Sequence, residues 1–251
     1  NGYFLCDRGR FGYGYTNAKN RPRNPKLALR PVNSEDALIA GMTMLRDNAP
    51  IIGIGSPRAS VEANYALRQL VGADNFYDGQ TPLDRELSLL ALAIVRDGPV
   101  PTATITQMEE ADAVFVLGED PTATAPRFAL AIRQAARGKA RELGADKNIP
   151  DWQVIALADL VQRQLSPVFI ASVDATRLDD VATDTLRAAP EDLARLGLAV
   201  AHALDAKSPA VSKLDAASSA LAAKIAGVLK TAKRPLIVSG SGAASTAVLQ
   251  A

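Results

Sequence analysis

Short apolar runs alternate along the chain with longer stretches in which apolar positions return every three to four residues. Ile51-Ile52-Gly53-Ile54, Ala113–Leu117, Val168–Ala171 and Leu236–Ser239 are the apolar runs, each bounded by turn residues. Continuous rather than alternating apolarity predicts strands covered on both faces, as in a parallel sheet. Helical periods lie between them. Asn33 or Ser34 caps one that runs through Asp47, with Glu35 and Asp36 in the favourable first turn. Ser60 caps a second, to about Val71, and a third covers Leu87–Arg96 before the Gly98-Pro99 turn. A long amphipathic helix is expected from about Pro126 to Leu143, and others around Pro190–Leu204 and Asp215–Thr231. The expected fold class is α/β: a layered, mainly parallel sheet with strands near 51–54, 113–117, 168–171 and 235–239, flanked by helices and joined by right-handed crossovers. The spacing is too irregular for a solenoid.

The front of the chain breaks this pattern. Residues 1–32 read as a basic, aromatic, glycine-rich segment and residues 33–251 as the α/β domain. Residues 1–31 carry seven bases (Arg8, Arg10, Lys19, Arg21, Arg23, Lys26 and Arg30) against the single acid Asp7, a balance of +6. Tyr3, Phe4, Phe11, Tyr13 and Tyr15 are interleaved with Gly9, Gly12 and Gly14. Glycine at that density disfavours helix, so short strands and turns are expected. The segment is either a basic arm with its aromatics docked on the core or a wrapper around a charged cofactor or anionic partner. The chain opens on Asn1 rather than Met, and it stops at Ala251 soon after the strand and glycine turn at 236–242. It is therefore expected to be a piece of a longer polypeptide, with the α/β domain cut at its C-terminus.

Composition narrows the function classes. With 251 residues, 48% hydrophobic and 22% charged, the chain can bury a core and is not expected to be disordered. A net charge of +1 gives no global electrostatic case for nucleic acid. No apolar run approaches the roughly 18 residues of a membrane span. One Cys excludes an internal disulfide and fits a reducing compartment. One His excludes a metal site built from histidines of this chain.

Glycine turns are the first candidates for chemistry. In open parallel sheets ligands sit beyond the C-terminal strand ends, where backbone N–H groups receive phosphates. Gly53-Ile54-Gly55-Ser56-Pro57-Arg58 and Gly240-Ser241-Gly242-Ala243-Ala244-Ser245 both start like a dinucleotide fingerprint, but Arg58 and Ser245 hold the place of its third glycine. They read equally as plain strand-to-helix turns. Glu119 and Asp120, in the turn after 113–117, would repel an anion there or accept hydrogen bonds from a ribose or guanine. His202 lies beside the apolar stripe Leu193, Leu196, Val200 and Leu204, and no G-x-S-x-G exists for it to serve. No nucleophile–base pair is identifiable, so no catalytic or cofactor-binding residue is assigned and the chain alone is expected to be inactive. Cys6 stands in the run Cys6-Asp7-Arg8-Gly9-Arg10-Phe11-Gly12. Basic neighbours favour the thiolate. On its residues alone it is an inert buried thiol, a nucleophile or an iron–sulfur ligand.

Asn1 to Tyr15, together with Gly53 to Glu62, Val116 to Asp120 and Arg127 to Glu142, resembles the family of large iron–sulfur subunits of bacterial NADH:quinone oxidoreductase, respiratory complex I. The resemblance covers the whole chain, and its first motif is the specific one. It implies a fold like that of the molybdopterin oxidoreductases, whose C-x-K-G pattern falls on Cys6-Asp7-Arg8-Gly9, with Arg8 in place of the usual Lys. It further implies that Cys6 is the fourth ligand of a 4Fe–4S cluster in the full-length chain, the other three cysteines lying upstream of residue 1, and that this piece carries no cofactor. The function implied is the scaffold part of a chain that carries electrons from NADH towards quinone. The implied partners are the other subunits of the complex I peripheral arm, with no nucleic acid and no direct membrane insertion. The implied place is peripheral, on the cytoplasmic side of the bacterial inner membrane. The alternatives are a molybdopterin-dependent oxidoreductase domain and a nucleotide-binding module without redox chemistry.

Overall fold

A computed structural model describes residues 7–48, 50–162 and 164–251; Tyr3, Phe4 and Cys6 lie outside these. The chain divides into two compact units, Asn1–Pro82 and Leu83–Ala251.

In the first unit, Asp7–Phe11 is α-helical and Gly12–Asn17 forms a 3-10 helix. This corrects the expectation of strands and turns at the front. Asp7 supplies a favourable acid in the first turn, and Gly12 and Gly14 fall in the tighter coil that follows. Phe11, Tyr13 and Tyr15 are exposed, so none of these three is docked on a core. Further along, short strands are present as β1 (Lys26–Leu27) and β2 (Arg30–Pro31), paired antiparallel. The helices Ser34–Asp47 and Val61–Val71 start where their caps predict. Asn33 Oδ1 accepts from the Asp36 amide at 2.8 Å, and Ser60 Oγ from the Ala63 amide at 3.1 Å. The expected strand at 51–54 is confined to β3 (Gly53–Ile54), which pairs in parallel with β4 (Phe76–Tyr77) and joins no larger sheet. Gly53 is buried, and a Cβ there would meet Val71 Cγ2 at 2.8 Å, so the strand lies directly on the helix behind it.

The second unit is built on one parallel sheet. Its strands are β5 (Ala113–Leu117), β6 (Val168–Ser172), β7 (Asp184–Arg187) and β8 (Pro235–Ser239), in the spatial order β7-β6-β5-β8. Chain order therefore runs outward from β5 to one edge and then jumps back across it. Val114 pairs with both Val168 and Leu236, and Val116 with both Ile170 and Val238. Asp112 sets the register on the far side, its two carboxylate oxygens each accepting at 2.8 Å from the amides of Lys233 and Arg234.

Alternation along the two central strands fills both faces. Phe115, Leu117 and Phe169 pack against Leu193, Leu196 and Val200 of helix Pro190–Leu204 and Ile225 and Leu229 of helix Ala216–Thr231. Val114, Val116, Val168 and Ile170 pack on the other face against Ile132, Ala135 and Ala136 of helix Pro126–Ala136 and against Met108. Each large side chain so buried contributes about 1.5–3 kcal/mol. The helix expected over 126–143 is two helices, because it breaks at Arg137 and resumes as Gly138–Asp146. Gly138 is a poor helix former, and Ser166 fastens the break: its amide donates to Ala136 O at 2.8 Å and its Oγ accepts from the Lys139 amide at 3.0 Å.

Candidate functional site

The sheet order places the reversal of strand progression between β5 and β8. In open α/β sheets the ligand crevice lies at that point, beyond the C-terminal strand ends. Here the two loops that meet are Gly118-Glu119-Asp120, leaving β5, and Gly240-Ser241-Gly242, leaving β8.

Gly118 has φ +68°, and a Cβ on it would overlap Val248 Cγ1, so only glycine lets β5 turn here. Its amide donates to Ala171 O at 2.7 Å, and Ser239 Oγ donates to Leu117 O at 2.9 Å, so both strand ends are fixed up to the turn. The half-buried Glu119 side chain then reaches into the opposite loop. Its Oε2 accepts from the Gly242 amide at 3.0 Å, and its Oε1 from the Asp120 amide at 3.0 Å and Thr124 Oγ1 at 3.1 Å. A Cβ on Gly240 would overlap Oε2, and one on Gly242 would meet Oε1 at 2.6 Å. The glycines thus make room for a carboxylate of the same chain. Asp120 is engaged locally, its Oδ1 accepting from the Thr122 amide at 3.0 Å and from Thr122 Oγ1 at 2.5 Å.

The turn after β3 is closed differently. Asn64 Oδ1 accepts from the Ser56 amide at 3.0 Å, and its Nδ2 donates to Ser56 O at 2.9 Å and to Ser60 O at 3.1 Å. Ser56 Oγ accepts from the Arg58 amide at 3.2 Å. An open cleft of about 380 Å³ adjoins this turn, lined by Pro57, Asn64, Tyr65, Arg68 and Phe76 among others. A smaller one of about 190 Å³ lies at the opposite, N-terminal ends of the sheet strands, among Asp112, Lys139, Ser166 and Arg234.

Of the residues singled out in the sequence, the structure brings Glu119 together with the 240–242 glycines. His202 is placed apart, with Nδ1 2.7 Å from Ser208 O, a bond that holds the loop after its helix. Asn64, Ser239 and Val248 were not anticipated: Asn64 reaches back from its helix to the turn at Ser56, Ser239 and Val248 meet Leu117 and Gly118 far along the chain, and no local motif marks them. Among the described residues no group of three or more His, Cys, Asp and Glu is placed to hold a metal, and no helix is long and apolar enough to cross a membrane. With one Cys and one His in the whole sequence, the donor set of this chain does not fit a cubane cluster, which takes four thiolates.

The architecture is α/β, a four-stranded parallel sheet flanked by helices whose switch-point turn is engaged by its own carboxylate. No protein-family model matches it. Over all 251 residues it is 51% identical to the G subunit of the NADH-quinone oxidoreductase of Pseudomonas fluorescens. It is 50% identical to the same subunit of Salmonella typhimurium and 49% identical to that of Escherichia coli K12, the whole chain again being matched. The chain spans 28% of the length of each of these relatives. It corresponds from end to end to a segment of this subunit of the NADH-quinone oxidoreductases, as the sequence resemblance implies.

Proposed function

We propose that this chain is the scaffold α/β segment of the iron–sulfur subunit of a respiratory NADH:quinone oxidoreductase, a subunit that passes electrons from NADH towards quinone. The observation that carries this reading is the match to that subunit at about half identity over every residue of the chain. The match favours it over a molybdopterin-dependent oxidoreductase domain. The engagement of Gly242 by Glu119 speaks against the third reading, a nucleotide module using that turn. The chain's own contribution is mechanical. The two packed faces of the sheet hold the loops at fixed spacing, and the basic front segment carries Cys6.

Within the parent, Cys6 serves as the fourth ligand of a 4Fe–4S cluster whose other three thiolates come from outside this chain. The partners are the other subunits of the peripheral arm, on the cytoplasmic side of the inner membrane. Replacing the matched 255 residues of the Escherichia coli K12 subunit with this chain tests the reading. Membranes carrying the chimera should retain NADH–quinone oxidoreduction. A chimera that accumulates as folded subunit yet leaves the complex unassembled overturns it. Cys6→Ser in the same chimera should abolish one iron–sulfur signal in electron paramagnetic resonance; an unchanged set of signals removes Cys6 as a ligand.

A further inference from the structure

Taking the chain as a segment of that subunit, on which this step rests, we infer that the helix Pro82–Asp97 is an internal helix of the full-length subunit, enclosed by the part of the same polypeptide that lies outside these 251 residues. From Leu87 to Val95 the helix reads Leu-Ser-Leu-Leu-Ala-Leu-Ala-Ile-Val, with Ser88 its one polar side chain. Its charges are confined to the ends, Asp84, Arg85 and Glu86 at the start and Arg96 and Asp97 at the finish. At about 3.6 residues per turn the apolar positions go round the whole circumference. Leu83, Leu87, Leu90 and Ile94 form one stripe, and Leu89 and Leu92 stand roughly opposite Leu87. A helix that is apolar on every side belongs in an interior. Here only Leu87 is buried, and Leu89, Leu92 and Val95 are 57%, 54% and 56% exposed.

The other long helices of the second unit show the same kind of sequence with its cover in place. Helix Pro190–Leu204 buries Leu193, Leu196 and Val200, and helix Ala216–Thr231 buries Ile225 and Leu229, in one core with the sheet. Among the described residues no strand or helix packs along 82–97 in that way. A second copy meeting across a two-fold axis, or another subunit docking on the surface, covers one side of a helix and leaves a polar rim on the other. Neither calls for Leu89 and Leu92 on the side away from Leu87. Enclosure from all sides is what a core supplies, and a core is made by one polypeptide folding its layers around the helix. Enough chain exists to do it, since these residues span 28% of the length of the relatives and most of such a subunit lies outside them.

Hydrogen–deuterium exchange of the peptide 87–95, with the peptide spanning β5 as internal reference, tests the inference on three samples: this chain alone, the isolated chimeric Escherichia coli subunit described above, and the complex containing it. Exchange at 87–95 should be at least about tenfold slower in the isolated, monomeric subunit than in this chain alone, while β5 stays the same. Slowing that appears only in the complex assigns the cover to another subunit, and slowing that follows dimerisation assigns it to a second copy; either overturns the inference, as does equal exchange in chain and subunit. Leu92→Lys in the isolated subunit decides the matter without the shorter chain. It should lower the melting temperature by several degrees or prevent the subunit from accumulating, as a charge forced into a core does, and Leu92→Met should do neither. A melting temperature unmoved by Leu92→Lys overturns the inference. Assembly of the chimera reports on the wider reading separately, because a subunit that fails to assemble still gives the exchange of 87–95.

Discussion

The glycine turn after β3 and the one after β8 start from similar sequence, Gly-Ile-Gly-Ser and Gly-Ser-Gly-Ala, yet one is closed by a neutral amide and the other by a carboxylate. Asn64 both donates and accepts, so a single side chain satisfies the amide and the carbonyl of Ser56, eight residues away. Glu119 can only accept. It gathers donors from two loops, one of them 123 residues away. A turn closed by an amide is self-sufficient in both kinds of hydrogen bond. A turn closed by a carboxylate is held only by donors, and here one of them comes from the far end of the chain.

The largest expected effect removes the platform under the second turn. Phe115 is 2% exposed between β6 and the 190–204 helix, and Phe115→Ala should cost about 3–5 kcal/mol. Urea denaturation followed by a probe in the second unit measures it, and a loss under about 1 kcal/mol, on the order of a surface substitution, would show that the turn does not depend on that core. The next pair sets the turns side by side. A Cβ on Gly55 would overlap Asn64 Oδ1 and meet the Phe76 ring at 2.9 Å, both held in place, whereas on Gly240 it would meet the end of the longer Glu119 side chain. Gly55→Ala should therefore destabilise by about 1–3 kcal/mol and Gly240→Ala by less, with Glu119 displaced; equal losses in thermal melts would erase the distinction.

Asn64→Ala should come next, at about 1–2 kcal/mol, because the Ser56 amide loses its acceptor and the Ser56 carbonyl keeps only the Ala59 amide. Asn64→Asp should recover little of it, since a carboxylate cannot donate to the Ser56 and Ser60 carbonyls. Full recovery would contradict the roles assigned to the amide. The smallest effect is electrostatic. The hydrogen bonds from Arg133 hold the Asp180 carboxyl below its ordinary range. A carboxyl lowered on folding contributes stability above its unfolded pKa and loses it as pH falls through the lower folded value. Asp180 is largely exposed, so after solvent screening the contribution is below about 1 kcal/mol. Arg133→Gln should lower the urea midpoint slightly at neutral pH and by less well below the carboxylate range, where only the bond to the Arg177 carbonyl is still lost; a difference that grows on acidification would reverse the sign.

Much of the second unit is legible in the sequence for a physical reason. β5 and β6 read as apolar runs because their residues serve two packed faces; β8 reads the same way although it is the other edge of the sheet, with Val238 buried and Ile237 exposed, so the expectation of cover on both faces does not hold there. β7 does not, because Asp184-Thr185-Leu186-Arg187 is an edge strand that puts only Leu186 against the core. Its charges are used sideways, Asp184 with Lys224 and Arg187 with Asp179, as suits a protected sheet edge. The helix at 7–11 is hidden by its glycines, and the break at Arg137 by the unbroken amphipathic period around it. At the candidate site the glycine turns and the acids were both visible, but as antagonists. That Glu119 is the occupant of the glycine turn depends on the β5–β8 pairing, which no local pattern encodes.

That pairing also sets a schedule. β5 is complete by residue 117, but its second neighbour, β8, begins only at residue 235. At synthesis rates of about 5–20 residues per second, the central strand of the sheet waits several seconds or longer with one hydrogen-bonding edge open. The exposed sequence is Ala-Val-Phe-Val-Leu, uncharged and strongly β-forming. The nascent chain therefore carries its most adhesive segment through a long stretch of its own production. Slow translation or a stall between the two strands is the point at which it is most vulnerable to pairing with another copy instead of with itself.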